Sequence, residues 1–545
     1  MSQVLGYLAV PLICGGEVPL QESPLGHDLE DRLRRLNEIG AALSLERDLD
    51  TLLDRILLEA RRFTNADAGT LYLLQGDELT FKIAQNDTLQ LFSGGPHRAV
   101  SVPPVPLNEE SASGYAAVTG ETLNIADVYA EDAGQRFEGP RYYDAMTGYH
   151  SQSMLVVPMR DHEEQIIGVL QLINAKGRDS DEIIAFPGTD ESLVHSLASQ
   201  AAVSINNVRL IEDTQRLFES FVQVMATAID ERSPYTGGHI RRVAEMTMLV
   251  ARAVNECQEG PLQSVELSED ELEELELAAW MHDIGKITTP EWVVDKPTKL
   301  TTIYDRVDLL RTRYAWFEAM VEADWQRRRA DAAIDGQPLG DSEKIKTDAL
   351  KAEMADDLAF LERANEPGEF MADEDLARLK QVRDRQYLPD LPVPLSDEET
   401  LNLLIRKGSL TDTERQKINN HAAMSIRMLE QIPFTRKLAR VPQIAGAHHE
   451  KLNGSGYPRG LEGEQISLQA RILALVDIFE SLSADDRPYR ARPMPRDLVL
   501  KILAEEVDRG HLDRDLHDLF VSQEMYLKLD EIKRVMAAGG STDES

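Results

Sequence analysis

The sequence predicts a multidomain chain: an α+β domain first, a long connector helix with coiled-coil character next, and an all-α domain carrying a helical-hairpin insertion last. Three observations predict it. At 545 residues the chain exceeds what one core of ordinary size accommodates. Apolar and polar residues alternate through "GTLYLLQGDELTFKIAQN" and "SMLVVPMRDHEEQIIGVLQLINA", each of which reads as two antiparallel strands joined at a charged turn. Beyond "DERSPYTGG" the apolar spacing is helical almost throughout.

Residues 1–27 make an N-terminal segment. Its apolar opening, "MSQVLGYLAVPLICGG", lacks the basic stretch of a signal peptide and is too short to span a bilayer. No later window reads as a span either, so a cytoplasmic protein is expected. Only Cys14 and Cys257 occur, too few for a disulfide framework or a thiolate zinc site, and this fits a reducing compartment.

Residues 28–60 read as one helix, with Leu29, Leu33, Leu36, Ile39 and Leu43 on one face. The helix, the strands and a closing helix make residues 28–210 an α+β domain with helices flanking a sheet. This segment resembles a GAF domain, through "SGYAAVTGETLNIADVY", "VVPMRDHEEQIIGVLQLINA" and "LASQAAVSINNVRLIED". The resemblance implies a regulatory module, either a sensor of a small ligand such as a cyclic nucleotide or a ligand-free dimerisation module. The family's cyclic-nucleotide signature is approached by Asn174, Lys176, Phe186, Asp190 and Glu191, with Ala175 intruding between the first two. The bilin-binding branch fits worse, because no cysteine lies within 28–210.

Residues 192–230 contain neither Gly nor Pro and form the connector helix. Positions 197, 201, 204, 208, 211, 215, 218, 222, 225 and 229 step alternately by four and three and are mostly apolar. Such a seam pairs with a second copy, as a parallel homodimer, or packs within its own chain. Residues 220–525 form the all-α domain. Within it 296–405 stand apart, as two charged amphipathic helices turning at "DGQPLGD" and holding no histidine. They read as a partner-contacting or dimer-stabilising arm. Residues 526–545 are expected to be a C-terminal tail.

The formal charge of −37 is spread along the chain and argues against a nucleic-acid polymer as partner, which needs a basic footprint. A phosphorylated substrate has to be met by local cations or metals. Of twelve histidines, five sit in local signals: His239 in "YTGGHIRRV", His282 in "HDIGK", His421 in "NNHAAMS", and His448 with His449 in "GAHHEKLNGSGYP". Gathering them around cations satisfies every imidazole, whereas burying each alone is costly. Asp283 follows His282 directly, and Asp477 is a lone acid in "ILALVDIFESL", where it needs a partner or a metal. Seven ligands without thiolate suit two divalent ions, iron, manganese or zinc, about 3.5–4 Å apart. Lys286, near one turn beyond His282, reads as a phosphate contact or as a solvated helix-end lysine. Arg487 and Arg490 in "DDRPYR" form another cationic fork.

The order "YTGGH", "HDIGK", a later His, "HH", "GSGYP", an Asp in an apolar helix and "DRPYR" resembles an HD-GYP phosphohydrolase over residues 220–525. The resemblance implies hydrolysis of cyclic di-GMP to pGpG or GMP by a metal pair, often iron or manganese. By motif, His239, His282 and Asp477 would hold one ion, His421, His448 and His449 the other, and Asp283 would bridge them. Lys286, Arg487 and Arg490 would face phosphate, and Gly456, Tyr457 and Pro458 form the naming motif. Three departures stand out. His282 and His421 are 139 residues apart because of the insertion, "ADDRPYR" follows Asp477 at a spacing one residue longer than usual, and Tyr235 replaces the Glu that holds a third metal in some members. Two ions are therefore expected. A non-catalytic cyclic-dinucleotide effector or scaffold, and an HD phosphohydrolase for another nucleotide, are the alternatives.

Overall fold

A computed structural model describes residues 24–94, 103–130, 137, 143–145, 147–177, 180–232, 238–337, 339–368, 370–484 and 494–539. The chain forms two compact units, residues 1–217 and 218–545.

The first unit holds one antiparallel sheet of order β3-β2-β1-β7-β6-β5: Leu91–Gly94, Glu78–Asn86, Ala66–Gln75, Ile166–Lys176, Met154–Arg160 and Leu123–Ile125. The short β4 (Val105–Pro106) pairs with β2, and β8 (Ile183–Ile184) with β7. Both expected hairpins form, β1 with β2 and β6 with β7. Both faces of the sheet are covered. Leu155, Val157, Leu170 and Leu172 pack with helical residues Leu52, Ile56, Leu197 and Ala201, while Val156, Val169 and Ile173 pack with Tyr72 and Tyr115. Double coverage explains the nearly continuous apolar run of β7.

The single helix expected over 28–60 is two helices, α1 (Pro24–Leu45) and α2 (Leu49–Thr64). Asp48 is the reason: its carboxylate accepts from Thr51 N at 2.7 Å, capping a new helix rather than continuing the old one. After α3 (Ala112–Thr119), the long helix α4 runs from Gly188 to Asp230. Its expected seam is used within the chain at both ends. Leu197, Ala201, Ser204 and Val208 are buried in the first unit, and Val222 and Ile229 in the second, whereas Ile211 is exposed.

The second unit is helical among the described residues. It comprises α5 (His239–Asn255), α6 (Glu269–Met281), α7 (Val307–Ile334), α8 (Asp341–Asn365), α9 (Asp373–Arg383), α10 (Asp397–Leu403), α11 (Asp412–Leu429), α12 (Val441–Gly446), α13 (Leu468–Ser483), α14 (Arg496–Asp508), α15 (Arg514–Ser522) and α16 (Lys528–Gly539), with shorter turns between. Its main core joins Val243, Leu275, Leu473, Phe479, Leu503 and Phe520. The expected tail is instead helical at α16, which buries Leu529 and Ile532 in that core.

The hairpin of the insertion is α7 and α8, and α9 and α10 extend it. Leu310, Phe317, Leu361, Leu379 and Leu403 give it a core of its own. Its root is pinned to α11. Lys296 is fully buried, its Nζ donating to Asn402 Oδ1 at 2.8 Å and to both oxygens of Glu414 at 2.9 Å. Glu414 also closes the capping box that starts α11 with Thr411.

Candidate metal centre

Five segments bring the ligand candidates together. Helix α5 begins with His239. A capping box of Ser268 and Glu271 starts α6, which delivers His282 and Asp283 as it passes into the short 3₁₀ helix Ile284–Thr288. His421 lies within α11, and His448 and His449 follow α12. Ser467 caps α13, which carries Asp477.

The HD turn lies against α11 with no room to spare. A Cβ on Gly285 would fall 2.0 Å from His421 O and 2.6 Å from Ser425 N. Ser425 Oγ locks the contact, donating to His282 O at 2.7 Å and accepting from Gly285 N at 2.9 Å. Glu450 does the same for the GSGYP loop, accepting from Arg459 N at 2.6 Å and Leu461 N at 2.9 Å. Gly456 is needed there, because a Cβ would meet Lys451 N at 2.4 Å. Tyr457 lies beside His449, ring centroids 4.8 Å apart.

Every predicted ligand converges. His239 Nε2 is 3.4 Å from Asp477 Oδ1 and 3.6 Å from Asp283 Oδ2. His282 Nε2 is 3.3 Å from the same Asp283 oxygen. The other oxygen, Asp283 Oδ1, lies 3.4 Å from His421 Nε2. His421, His448 and His449 form one group of possible ligands, and His239, His282 and Asp477 another, with ligand atoms within 4.8 Å of one another in each. Asp283 thus presents one oxygen to each group. Asp477 also reaches toward the second, its Oδ2 4.0 Å from His449 Nδ1.

The donor set fits divalent metal. Four imidazoles have Nδ1 engaged: His282 with Ala279 O at 2.7 Å, His421 with Ile418 O at 2.5 Å, His448 with Ala445 O at 2.6 Å, and His239 with the buried Glu480. A proton on Nδ1 leaves the Nε2 lone pair pointing inward, the tautomer that binds metal. Two observations then call for a cation. His282 Nε2 is buried without a hydrogen-bond partner, and the Nε2 atoms of His421 and His448 face each other at 3.5 Å. Burial, reinforced by neighbouring imidazoles, pushes His448 well below the usual histidine range and His449 down to about 3. Burial would raise Asp283 and Asp477. For Asp283 Lys286 and the imidazoles outweigh it, for Asp477 the imidazoles, and both stay well below the carboxylate range.

Lys286 Nζ donates to Asp283 Oδ2 at 2.5 Å, so it stands at the rim of this centre. Arg487, Arg490 and Tyr235 lie outside the described residues. Sequence reasoning missed Glu480, Ser425 and Glu450. Glu480 had a signal, since it is a second acid one turn after Asp477 in an apolar helix; it is fully buried and also accepts from Arg242 Nε at 2.6 Å.

In the first unit the five residues of the cyclic-nucleotide signature do not form one cluster. Lys176 Nζ pairs with the buried Asp67 at 2.5 Å, and Asp67 also accepts from Tyr149 Oη at 2.7 Å. Asn174 accepts from Gln152 N and donates to His150 O, each at 2.7 Å. Phe186 is in the core on the other face, with Leu57 and Val194. Asp190 is buried at the start of α4, and Glu191 accepts from Asn124 at 3.1 Å.

Comparison with known proteins agrees with both halves. Residues 48–205 match the GAF domain family, and residues 236–334 and 390–516 match two HD domain families. The interval between the HD matches falls within the helical insertion. The 3'3'-cGAMP-specific phosphodiesterase 3 of Vibrio cholerae is 46% identical over 105 residues, 19% of this chain and 22% of that protein. The 3'3'-cGAMP-specific phosphodiesterase 1 of the same organism is 40% identical over 126 residues, 23% and 28% of the two chains. The cyclic di-GMP phosphodiesterase response regulator RpfG of Xanthomonas campestris is 33% identical over 136 residues, 24% and 34%. The matched stretch thus spans about a fifth to a third of these curated relatives. A crystal structure of the GAF domain from Acinetobacter phosphoenolpyruvate-protein phosphotransferase covers 34% of this chain and 98% of its own, at 18% identity and a TM-score of 0.26. The chain thus carries a GAF domain followed by a largely helical region with HD domains.

Proposed function

We propose that the chain is a metal-dependent phosphodiesterase that hydrolyses a cyclic dinucleotide, cyclic di-GMP to pGpG or GMP, under the control of its GAF domain. The observation that carries this reading is the carboxylate of Asp283, with one oxygen toward His239 and His282 and the other toward His421. Two ions, iron or manganese, suit this imidazole and carboxylate set. When bound, such a pair supplies an acidified water for in-line attack on phosphorus and neutralises charge on the phosphate. His239, His282 and Asp477 hold one side, His421, His448 and His449 the other. Lys286 moves from Asp283 to a non-bridging phosphate oxygen, and the GSGYP loop borders the substrate beside His449. Arg487 and Arg490 complete the phosphate contacts.

The names of the Vibrio relatives favour 3'3'-cGAMP as a second substrate reading. Protein loaded anaerobically with iron or manganese is expected to convert at least one of the two dinucleotides, with products identified by chromatography, and Asp283→Ala is expected to abolish turnover. Normal turnover by the variant, or none by fully loaded wild type, refutes the proposal. A homodimer belongs to the same reading, through a different face of α4 from the expected one. Val203, Leu210, Leu217 and Val224 are exposed and recur every seven residues. A small-molecule ligand for the GAF domain and a partner for the insertion complete the proposal.

A further inference from the structure

We propose that Asp230 and Arg232, where helix α4 ends, are positioning residues of the metal centre that hold its two ligand-bearing elements in register. The inference rests on the metal reading above. Helix α5 opens with His239, yet its N-cap is Gly238, which has no side chain to satisfy the first amides. The cap comes from another helix: the buried Asp230 accepts from Ile240 N at 3.1 Å. Two residues on, the guanidinium of Arg232 donates to three carbonyls of the turn after Asp283: Lys286 O at 2.9 Å, Ile287 O at 2.5 Å and Thr289 O at 2.8 Å. These carbonyls close the 3₁₀ helix Ile284–Thr288 and lie at the element that carries Asp283 and Lys286.

One helix end therefore grips both sides of the first ligand group: α5 for His239, and the HD turn for His282 and Asp283. Arg232 reaches these carbonyls with two separate nitrogens of a planar fork, a spread that the single Nζ of lysine does not reproduce. Both side chains bind backbone groups of the ligand-bearing elements, and neither belongs to a ligand group, which makes the roles positional rather than catalytic. The same two residues account for why α4 has to continue as far as residue 230 before the chain turns.

The test is a calorimetric Mn²⁺ titration of the metal-stripped full chain, with thermal midpoints recorded in EDTA and in saturating Mn²⁺. Arg232→Met and Asp230→Ala are each expected to weaken Mn²⁺ binding about tenfold, the low end for residues that orient ligands, and to shrink the Mn²⁺-induced rise in Tm. Asp230→Asn keeps an acceptor oxygen and is expected to bind Mn²⁺ as wild type does. Arg232→Lys is expected to behave as Arg232→Met, and it carries the test if the methionine variant does not fold. A lowered Tm in EDTA with unchanged Mn²⁺ affinity overturns the inference, because a merely structural role gives that result. Wild type that binds Mn²⁺ but hydrolyses no cyclic dinucleotide refutes the proposed activity and leaves the positioning result standing on its own. Wild type that binds no Mn²⁺ overturns both.

Discussion

Replacing Glu480 by Gln tests the centre most directly, because it changes no ligand and almost no volume. Glu480 is fully buried; one oxygen accepts from His239 Nδ1 and the other from Arg242 Nε at 2.6 Å. Glutamine offers a single acceptor oxygen. If its amide nitrogen faces Arg242, two donors meet at the buried Arg242 Nε. If it faces His239, the ring has to move its proton to Nε2, the atom directed at Asp283 and Asp477. Either arrangement leaves a buried polar group unsatisfied, at about 1–3 kcal/mol. Since about 1.4 kcal/mol is tenfold in a binding constant, metal affinity should fall roughly 5- to 140-fold. Mn²⁺ titrated calorimetrically into stripped wild type and Glu480→Gln measures this. Dissociation constants within threefold of each other would refute the idea that Glu480 selects the metal-binding tautomer of His239.

Gly285→Ala places a methyl against His421 O and Ser425 N, backbone atoms that cannot yield. It should destabilise the chain by about 1–3 kcal/mol in urea melts and weaken metal binding; a wild-type midpoint contradicts the close packing. Acid should loosen the centre in a defined window. Burial holds His421 and His448 below the usual histidine value of 6.5 and His449 at about 3, so the folded chain binds fewer protons there than the unfolded chain does. Their stabilisation is present above pH 6.5 and is lost as pH falls from 6.5 toward 3. Asp230, pushed up to about 6 by burial, works in the opposite direction below pH 6. His239 and His282, where Glu480, Asp283 and Asp477 outweigh burial and hold the imidazoles above 6.5, do so only above pH 6.5, so most of the change between pH 7 and pH 5 falls to the three depressed histidines. Urea melts in EDTA should therefore show lower stability at pH 5 than at pH 7, and a rise on acidification counts against this balance. Leu217→Asp should convert a dimer to a monomer by light scattering, and a wild type that is monomeric at micromolar concentration ends the dimer proposal.

Much of the site was legible because its chemistry is written in short local strings. "HDIGK", "AHH" and the lone acid of "ILALVDIF" mark residues whose burial is costly without a metal, and all seven candidate ligands converge. The hairpins were legible because strand periodicity is local, and the insertion's first two helices because their apolar spacing is unbroken. The supports were not. Ser425 and Arg232 act on backbone groups far along the chain and Glu450 on amides of the loop that follows it, and no side-chain pattern announces which carbonyl or amide will be bound.

Helix α4 separates the two kinds of information. Its length and its apolar stripe follow from the sequence, since both depend only on residue spacing and the absence of breakers. Which stripe stays exposed does not. The two ends of the stripe, Leu197 to Val208 and Val222 to Ile229, are covered by each unit's own core, Ile211 between them is exposed, and the other residues left outside, Leu210 and Leu217 among them, lie on another face. Periodicity states that a face must be buried. The tertiary fold decides against what, because that depends on surfaces contributed from hundreds of residues away.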